Sequence, residues 1–155
     1  MSGTSRRAAL ALLLAGLLAA CGDEGEPPLF PADYAATYQE VRDCRFSLEH
    51  DLTRMRVLAA PDALAVYQAR NAPFATGAVV LKPQYDSTDM TCSEILYFTV
   101  MQKLEPGSSP DTLDWAWQKV SADGKVMETD LKRCIACHTG CGKPPEGHDG
   151  VCADP

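Results

Sequence analysis

The chain has 155 residues, and its 21 acidic against 14 basic side chains give a formal net charge of −7 at pH 7. This length fits one compact domain. An acidic chain with few basic clusters argues against binding to nucleic acid and against electrostatic adhesion to anionic lipid.

The N-terminal segment predicts export from a bacterial cytoplasm. Arg6 and Arg7 precede an apolar run that is too short to span a bilayer and is typical of a signal peptide over residues 1–20. The stretch LAAC at 18–21 has the pattern of a bacterial lipobox, in which the cysteine becomes the lipidated first residue of the mature chain. We therefore expect a lipid anchor on Cys21 and a location in the periplasm or cell envelope. An ordinary cleaved signal followed by a cysteine is the alternative.

The predicted domain begins after a linker. Residues 21–33 are rich in Gly, Pro and acidic side chains, which favours a flexible tether, so the folded domain is expected over residues 34–155. Its first element is predicted as an amphipathic helix over Tyr34 to Phe46, because apolar side chains recur there at near-helical spacing. A strand with alternating apolar and basic residues follows over Leu52 to Ala59.

The middle of the chain predicts a short helix and three more strands. Proline at the first turn indicates a helix over Pro61 to Arg70. A strand over Gly77 to Lys82 meets Pro83, which restricts it to a sheet edge, a bulge or an ending. The strand over Glu94 to Leu104 is apolar on both faces, which predicts cover on both, and the strand over 112–120 places its two tryptophans on one face. The fold class is therefore α+β, mainly an antiparallel β-sheet with two helices.

A cysteine motif near the C-terminus predicts a cofactor. Cys134 and Cys137 belong to Cys-Ile-Ala-Cys-His, the attachment pattern of a c-type heme, with two thioethers to the heme and His138 as an axial ligand of the iron. One heme c packed on the sheet is the expected cofactor. The alternative is a structural zinc site, which export disfavours because free thiolates are more readily kept reduced in the cytosol. That site would use the two motif cysteines and two of Cys141, His148 and Cys152.

The other cysteines predict disulfides. The chain has seven cysteines, and once lipid and heme have taken three of them, four remain. An oxidising compartment favours two disulfides among those four, and three connectivities are open. We favour the pairs Cys44–Cys92 and Cys141–Cys152.

Four segments in order carry a resemblance to a known family. TGAVVLKPQY, EILYFTVMQKLEPG, DWAWQKVSADGK and CIACH, between roughly Leu52 and His138, resemble the cytochrome P-460 family and its relatives, the beta-type cytochromes c prime. The resemblance implies a mostly antiparallel sheet with one c-type heme, a five-coordinate iron with an open distal face, and often a homodimer. Family members oxidise hydroxylamine or bind nitric oxide, which implies a small nitrogen-containing ligand or substrate and an external electron acceptor.

The resemblance also implies individual site residues. P-460 members join a lysine of a Gly-x-x-x-x-Lys motif to the heme ring, and GAVVLK places Lys82 at that position. Their distal arginine matches Arg56, with Arg54 as the alternative. From the residues themselves, Phe98 is a candidate to cap the iron and Met101 is a candidate for the distal pocket, although both residue types more often pack in a core. No distal carboxylate is assigned in the segment that follows the CxxCH motif.

Three functions remain open from the sequence. The first is binding, with or without oxidation, of hydroxylamine or nitric oxide at the iron. The second is electron transfer by a six-coordinate heme, with Met101 or Met127 opposite His138. The third is a non-catalytic heme-binding or sensory lipoprotein. His50 and His148 lie in polar loops and are interpreted as solvated residues rather than ligands.

Overall fold

The structure is a computed structural model, and it describes residues 25–155. The predicted signal peptide and the lipidation site Cys21 lie outside the described residues. Within this range no helix is long and apolar enough to cross a membrane. The elements in chain order are α1 Tyr34–Thr37, β1 Gln39–Ser47, β2 Thr53–Ala59, α2 Pro61–Ala69, β3 Val79–Tyr85, β4 Ile95–Lys103, a 3₁₀ turn Pro110–Thr112, β5 Trp115–Ser121, β6 Val126–Thr129 and α3 Lys132–Thr139.

The six strands form one antiparallel sheet in which each strand pairs with its neighbours in sequence, in the order β1 to β6. Such a meander needs only short connections between antiparallel neighbours. With three helices beside this sheet, the protein has an α+β fold, and the predicted fold class is confirmed at this level. The predicted packing of a heme on the sheet stays a prediction.

Strand register divides the central side chains between two faces. Lys82 pairs with Thr99, and Met101 pairs with Trp117, on the face that we call the Lys82 face. Pro83 pairs with Phe98 on the opposite face, which we call the Phe98 face. Because successive side chains of a strand point to opposite sides, residues two apart in each strand share a face. The face on which a residue lies therefore decides which of the predicted site residues can lie close together.

The Lys82 face carries much of the core. Trp115 and Trp117 are both buried on this face of β5, as the alternation of the sequence predicted. All seven residues of β3 are buried, which agrees with a central strand that is covered on both sides. On the Phe98 face, Phe30 and Tyr34 pack against Phe98 with ring centroids 5.1 and 5.4 Å away. Part of the predicted tether therefore packs on the sheet.

The helix predicted over Tyr34 to Phe46 is wrong beyond its first turn. Helix α1 ends at Thr37, and residues from Gln39 onward form the edge strand β1, paired with β2. The register shifts between Glu40 and Arg42 and again before Arg45. Such irregularities disturb the alternation of inward and outward side chains. The apolar residues consequently fall at a spacing that resembles a helix.

Two expectations for the central strands also differ from the structure. β3 does not end at Pro83 but continues to Tyr85 as an inner strand. Proline has no N–H to donate, and the pairing of β3 with β2 is interrupted there, between the Met55–Gln84 and Leu58–Leu81 pairs. In β4, Leu96 is 49% exposed, so water reaches one end of a strand that was predicted to be covered on both faces.

Candidate functional site

A cavity of about 530 Å³ opens on the Lys82 face of the sheet. Its volume lies in the range of about 300 to 1,000 Å³ that is usual for sites of small molecules and cofactors. Its walls come from the end of β1, the loop that joins β1 to β2, the sheet and α3. The cavity brings together four residues that the sequence predicted as site residues, namely Lys82, Cys134, Cys137 and His138.

His138 is held with one ring nitrogen engaged and the other free for a ligand. Its ring is buried, and Nδ1 donates a hydrogen bond to the carbonyl of Gly150 at 2.6 Å. The ring also packs edge-on against Trp117, with centroids 4.8 Å apart. Burial, with a smaller effect of the Lys82 charge, lowers the pKa of His138 to about 3. The imidazole is therefore neutral at pH 7, and Nε2 offers its lone pair.

The carbonyl that orients the motif histidine is itself anchored by a buried ion pair. Gly150 has φ +79°, and a Cβ at this position would lie 3.3 Å from Nε1 of Trp115. The same indole nitrogen donates to the carbonyl of Asp149 at 2.8 Å. The Asp149 carboxylate accepts hydrogen bonds from Lys103 Nζ and from the backbone N–H of Phe74, each at 2.8 Å. The side chains of Lys103 and Asp149 are 6% and 2% exposed, so this pair fixes the segment in the interior.

The two motif cysteines are free thiols on the cavity wall. Cys134 is half-buried and Cys137 is exposed. Both lie on α3 three residues apart, and this spacing brings side chains to the same side of a helix. Burial raises the pKa of the Cys134 thiol. The helix therefore presents two thiols and one imidazole to a single cavity.

The remaining described cysteines are paired as the sequence analysis favoured. Cys44 and Cys92 form a disulfide with Cα atoms 5.8 Å apart, and Cys141 and Cys152 form another with Cα atoms 5.2 Å apart. Both separations are normal for disulfides. The second disulfide removes two thiolates from the alternative zinc site, and His148 is exposed. Among residues 25–155 no group of three or more His, Cys, Asp or Glu side chains is arranged to hold a metal ion.

Lys82 is a buried amine in the cavity wall. The residue is 5% exposed, and it lines the main cavity and a smaller adjoining one of about 20 Å³. Burial lowers its pKa to about 8, and no carboxylate among the described residues offsets this effect. A lysine without an acidic partner in such a place holds a substantial fraction of neutral, nucleophilic amine near neutral pH.

Three arginines lie among the residues that line the cavity, namely Arg42, Arg45 and Arg133. The Nε of Arg42 is buried and has no hydrogen-bond partner within the described part of the chain. Guanidinium groups suit the carboxylates of a bound ligand, including the two propionates of a heme. The donor set, the cavity volume and this unpartnered nitrogen together fit a c-type heme.

The predicted distal residues are not brought together. Arg56 lies on the Phe98 face, where it forms an ion pair with Glu40 and donates to the carbonyl of Thr91 at 3.0 Å. Arg54 and Phe98 also lie on that face. The alternation along β2 and β4 therefore separates these side chains from Lys82 by the thickness of the sheet. Of the predicted distal residues, Met101 lies on the Lys82 face and lines the small cavity.

The cavity also contains residues that sequence reasoning did not select. His50, interpreted above as solvated, lines both cavities, and burial lowers its pKa to about 4. Glu49 and Asp51 lie beside it on the rim and supply carboxylates that were not assigned. Tyr97 lies on the Lys82 face and donates a hydrogen bond to Asp51 at 3.4 Å. These loop residues carry no motif, and only the packing of the β1–β2 loop against α3 brings them to the site.

Compared with models of known protein families and with curated proteins, the chain matches none. The functional assignment therefore depends on the geometry of the site and on the sequence motifs.

Proposed function

We propose that the protein is an exported monoheme c-type cytochrome of P-460 type that binds a small nitrogen-containing molecule, hydroxylamine or nitric oxide, at the heme iron. The observation that carries this proposal is the convergence of Cys134, Cys137, His138 and the buried amine of Lys82 on one cavity. Bound heme supplies an iron centre that coordinates small nitrogen ligands.

Each cavity residue has a definite role in this proposal. Cys134 and Cys137 would hold the cofactor through thioether bonds, and Nε2 of His138 would bind its iron. The Gly150 carbonyl keeps the His138 ring in one tautomer and orientation. Lys82 would line the site of the bound heme, where the family resemblance implies a covalent bond between its amine and the ring.

The cell-envelope location follows from several features. The N-terminal signal pattern and the lipobox at Cys21 place the mature protein on a membrane through acyl chains. Two disulfides over residues 25–155 are consistent with an oxidising compartment. Heme attachment to CxxCH and disulfide formation then occur on the same side of the inner membrane.

The polar residues that line the cavity are compatible with oxidation of a substrate that carries N–H and O–H groups. Oxidation of hydroxylamine releases protons as well as electrons, and Glu49 and Asp51 supply acidic side chains to the lining of the cavity that this substrate would enter. The electrons pass to an external acceptor. Binding of nitric oxide needs no acceptor, so turnover distinguishes an enzyme from a binding protein.

Heme attachment is tested by producing the full chain in cells that carry the export and c-type heme maturation machinery. We expect coloured protein whose heme stays bound after denaturation and acid extraction, and the Cys134→Ala/Cys137→Ala variant is expected to lose it. The Cys44→Ala/Cys92→Ala variant is the matched control, since it removes two cysteines outside the cavity and is expected to keep the heme. Colourless wild-type protein, or protein that carries zinc, would contradict the proposal.

Ligand binding is tested on the heme-loaded protein. We expect the Soret band of the reduced protein to shift on addition of nitric oxide, and that of the oxidised protein to shift with hydroxylamine. Hydroxylamine-dependent reduction of an added electron acceptor would assign an oxidase activity. Spectra that stay unchanged with both molecules would leave electron transfer or sensing as the function.

A further inference from the structure

Two histidines face the same small cavity from different elements. His138 lies on α3, and His50 lies on the loop between β1 and β2. Both rings line the main cavity of about 530 Å³, where the heme is proposed to bind, and also the adjoining space of about 20 Å³ beside Lys82. Their ring centroids are 6.4 Å apart, and their planes are inclined by 71°.

The two rings are held in the same way. Nδ1 of His138 is engaged with the Gly150 carbonyl, and Nδ1 of His50 lies 2.7 Å from Oγ of Ser47. Histidines that bind metals commonly hold their second nitrogen in such a hydrogen bond, which fixes the tautomer and the orientation of the ring. When the Nδ1–H of His50 donates to Ser47, its Nε2 is free for a ligand, as it is in His138.

The separation of the rings matches a shared metal. A bond from imidazole nitrogen to a first-row metal ion is about 2.0 to 2.1 Å, and the nitrogen lies about 1.1 Å from the ring centroid. Two imidazoles on opposite sides of one metal therefore have centroids about 6.3 Å apart, close to the separation of 6.4 Å between His50 and His138. The inclination of 71° is compatible with this arrangement, because each ring can rotate about its own metal–nitrogen bond.

The β1–β2 loop is fixed to the helix that carries the motif. Arg133 of α3 forms an ion pair with Asp51, the residue after His50, at 2.6 Å. Thr53 donates to the carbonyl of His50 from its backbone N–H at 3.1 Å and from its hydroxyl at 2.6 Å. The loop that carries His50 therefore contacts both α3 and β2, and the hydrogen bonds from Thr53 fix the backbone of His50.

The methionines are less suited to the same position. Met127 is 60% exposed on β6 and does not line either cavity. Met101 is 2% exposed and pairs across the sheet with Trp117, where it packs in the core. Met55 lines the main cavity but is fixed within β2. His50, by contrast, lines both cavities and has its ring centroid 6.4 Å from that of His138.

We propose that His50 is the second axial ligand of the heme iron. The resting protein then holds a six-coordinate, bis-histidine iron, and a small molecule binds by displacing His50. The inference rests on the proposed heme and departs from the five-coordinate iron that the family resemblance implies, because it assigns a sixth ligand from this chain's own geometry. The β1–β2 loop becomes the element that controls access to the iron.

The test uses heme-loaded protein and electron paramagnetic resonance of its oxidised form. We expect a low-spin signal for wild type, a high-spin signal for His50→Ala, and recovery of the low-spin signal when free imidazole is added to that variant. His148→Ala is the matched control, since this exposed histidine lies outside both cavities, and it is expected to keep the wild-type signal. If wild type has His50 dissociated from the iron in less than about 10% of molecules, the apparent affinity of His50→Ala for nitric oxide should exceed that of wild type by at least about tenfold.

The outcomes separate this inference from the proposed function. Colourless wild-type protein overturns both. Coloured wild-type protein with a high-spin signal leaves the heme assignment standing and overturns the role of His50. A low-spin signal that survives in His50→Ala also overturns it, and Met55→Leu and Lys82→Ala then identify the ligand. If His50→Ala fails to fold, Ser47→Ala provides the second test, because loss of the Nδ1 partner is expected to change the low-spin g values only if His50 is bound.

Discussion

The buried pair of Lys103 and Asp149 offers a quantitative test of the interior behind the motif histidine. The Lys103→Met substitution removes the ammonium group that donates hydrogen bonds to Asp149 at 2.8 Å and to the Leu113 carbonyl at 2.7 Å. The Asp149 carboxylate then stays in the interior without its cation, since its side chain is 2% exposed. Removal of one partner of a buried pair typically costs about 3 to 5 kcal/mol. We expect a loss of this size, which is a large fraction of the stability of an ordinary domain.

The measurement is urea unfolding of the heme-loaded protein, followed by far-ultraviolet circular dichroism. The double variant Lys103→Met/Asp149→Asn is expected to be more stable than Lys103→Met alone, because no uncompensated charge remains buried. Lys125→Met is the control for loss of a lysine in an ion pair, and it is expected to leave the midpoint unchanged because that pair is exposed to water. A loss below about 1 kcal/mol in Lys103→Met, or strictly additive losses in the double variant, would refute the reasoning.

Three further predictions concern other parts of the structure. The pKa of Lys82 is about 8 in the folded protein and 10.5 for an ordinary lysine, so between these pH values the unfolded chain binds more protons than the folded one. The free energy of unfolding of heme-free wild type should therefore rise by about 3 kcal/mol relative to that of Lys82→Met as the pH increases through this window. A difference between the two proteins that does not change with pH in denaturation curves would contradict the burial of Lys82. Cys44→Ala/Cys92→Ala opens a loop of 48 residues and is expected to lose about 4 kcal/mol in urea titrations, with an unchanged midpoint as the contrary result. Gly150→Ala should destabilise the protein more than Gly124→Ala. Both glycines have positive φ, but only a Cβ at Gly150 would contact a neighbouring indole. Equal decreases in the melting temperature of the two variants would argue against this close contact.

The local sequence pattern was sufficient to predict those features that depend only on neighbouring residues. Strand β2, helix α2 and the paired tryptophans of β5 follow from alternation and from proline at a first turn, and the structure confirms them. The pairing of Cys44 with Cys92, which joins β1 to the loop before β4, was favoured among three connectivities and is the one observed.

Edge strands and loops were harder because their conformation depends on distant partners. Residues Gln39–Ser47 form a strand only because β2 offers a free edge, and irregular pairing gives their apolar residues a helix-like spacing. Arg56 was predicted near the iron from the family resemblance, and Phe98 was predicted there as an aromatic ring that could cap it. Register puts them on the face opposite to Lys82, and one residue of shift would have reversed that result.

The sequence by itself determined the spacing of Cys134, Cys137 and His138, because that spacing is local and does not depend on the arrangement of the rest of the chain. The heme that this motif predicts stays a proposal. The tertiary structure decided the surroundings of that motif. It buried Lys82 with no carboxylate partner among residues 25–155, and it brought the ring centroid of His50 to 6.4 Å from that of His138. Both results depend on the packing of a loop and a sheet against α3, and contacts between residues far apart in the chain leave no periodic signal in the sequence.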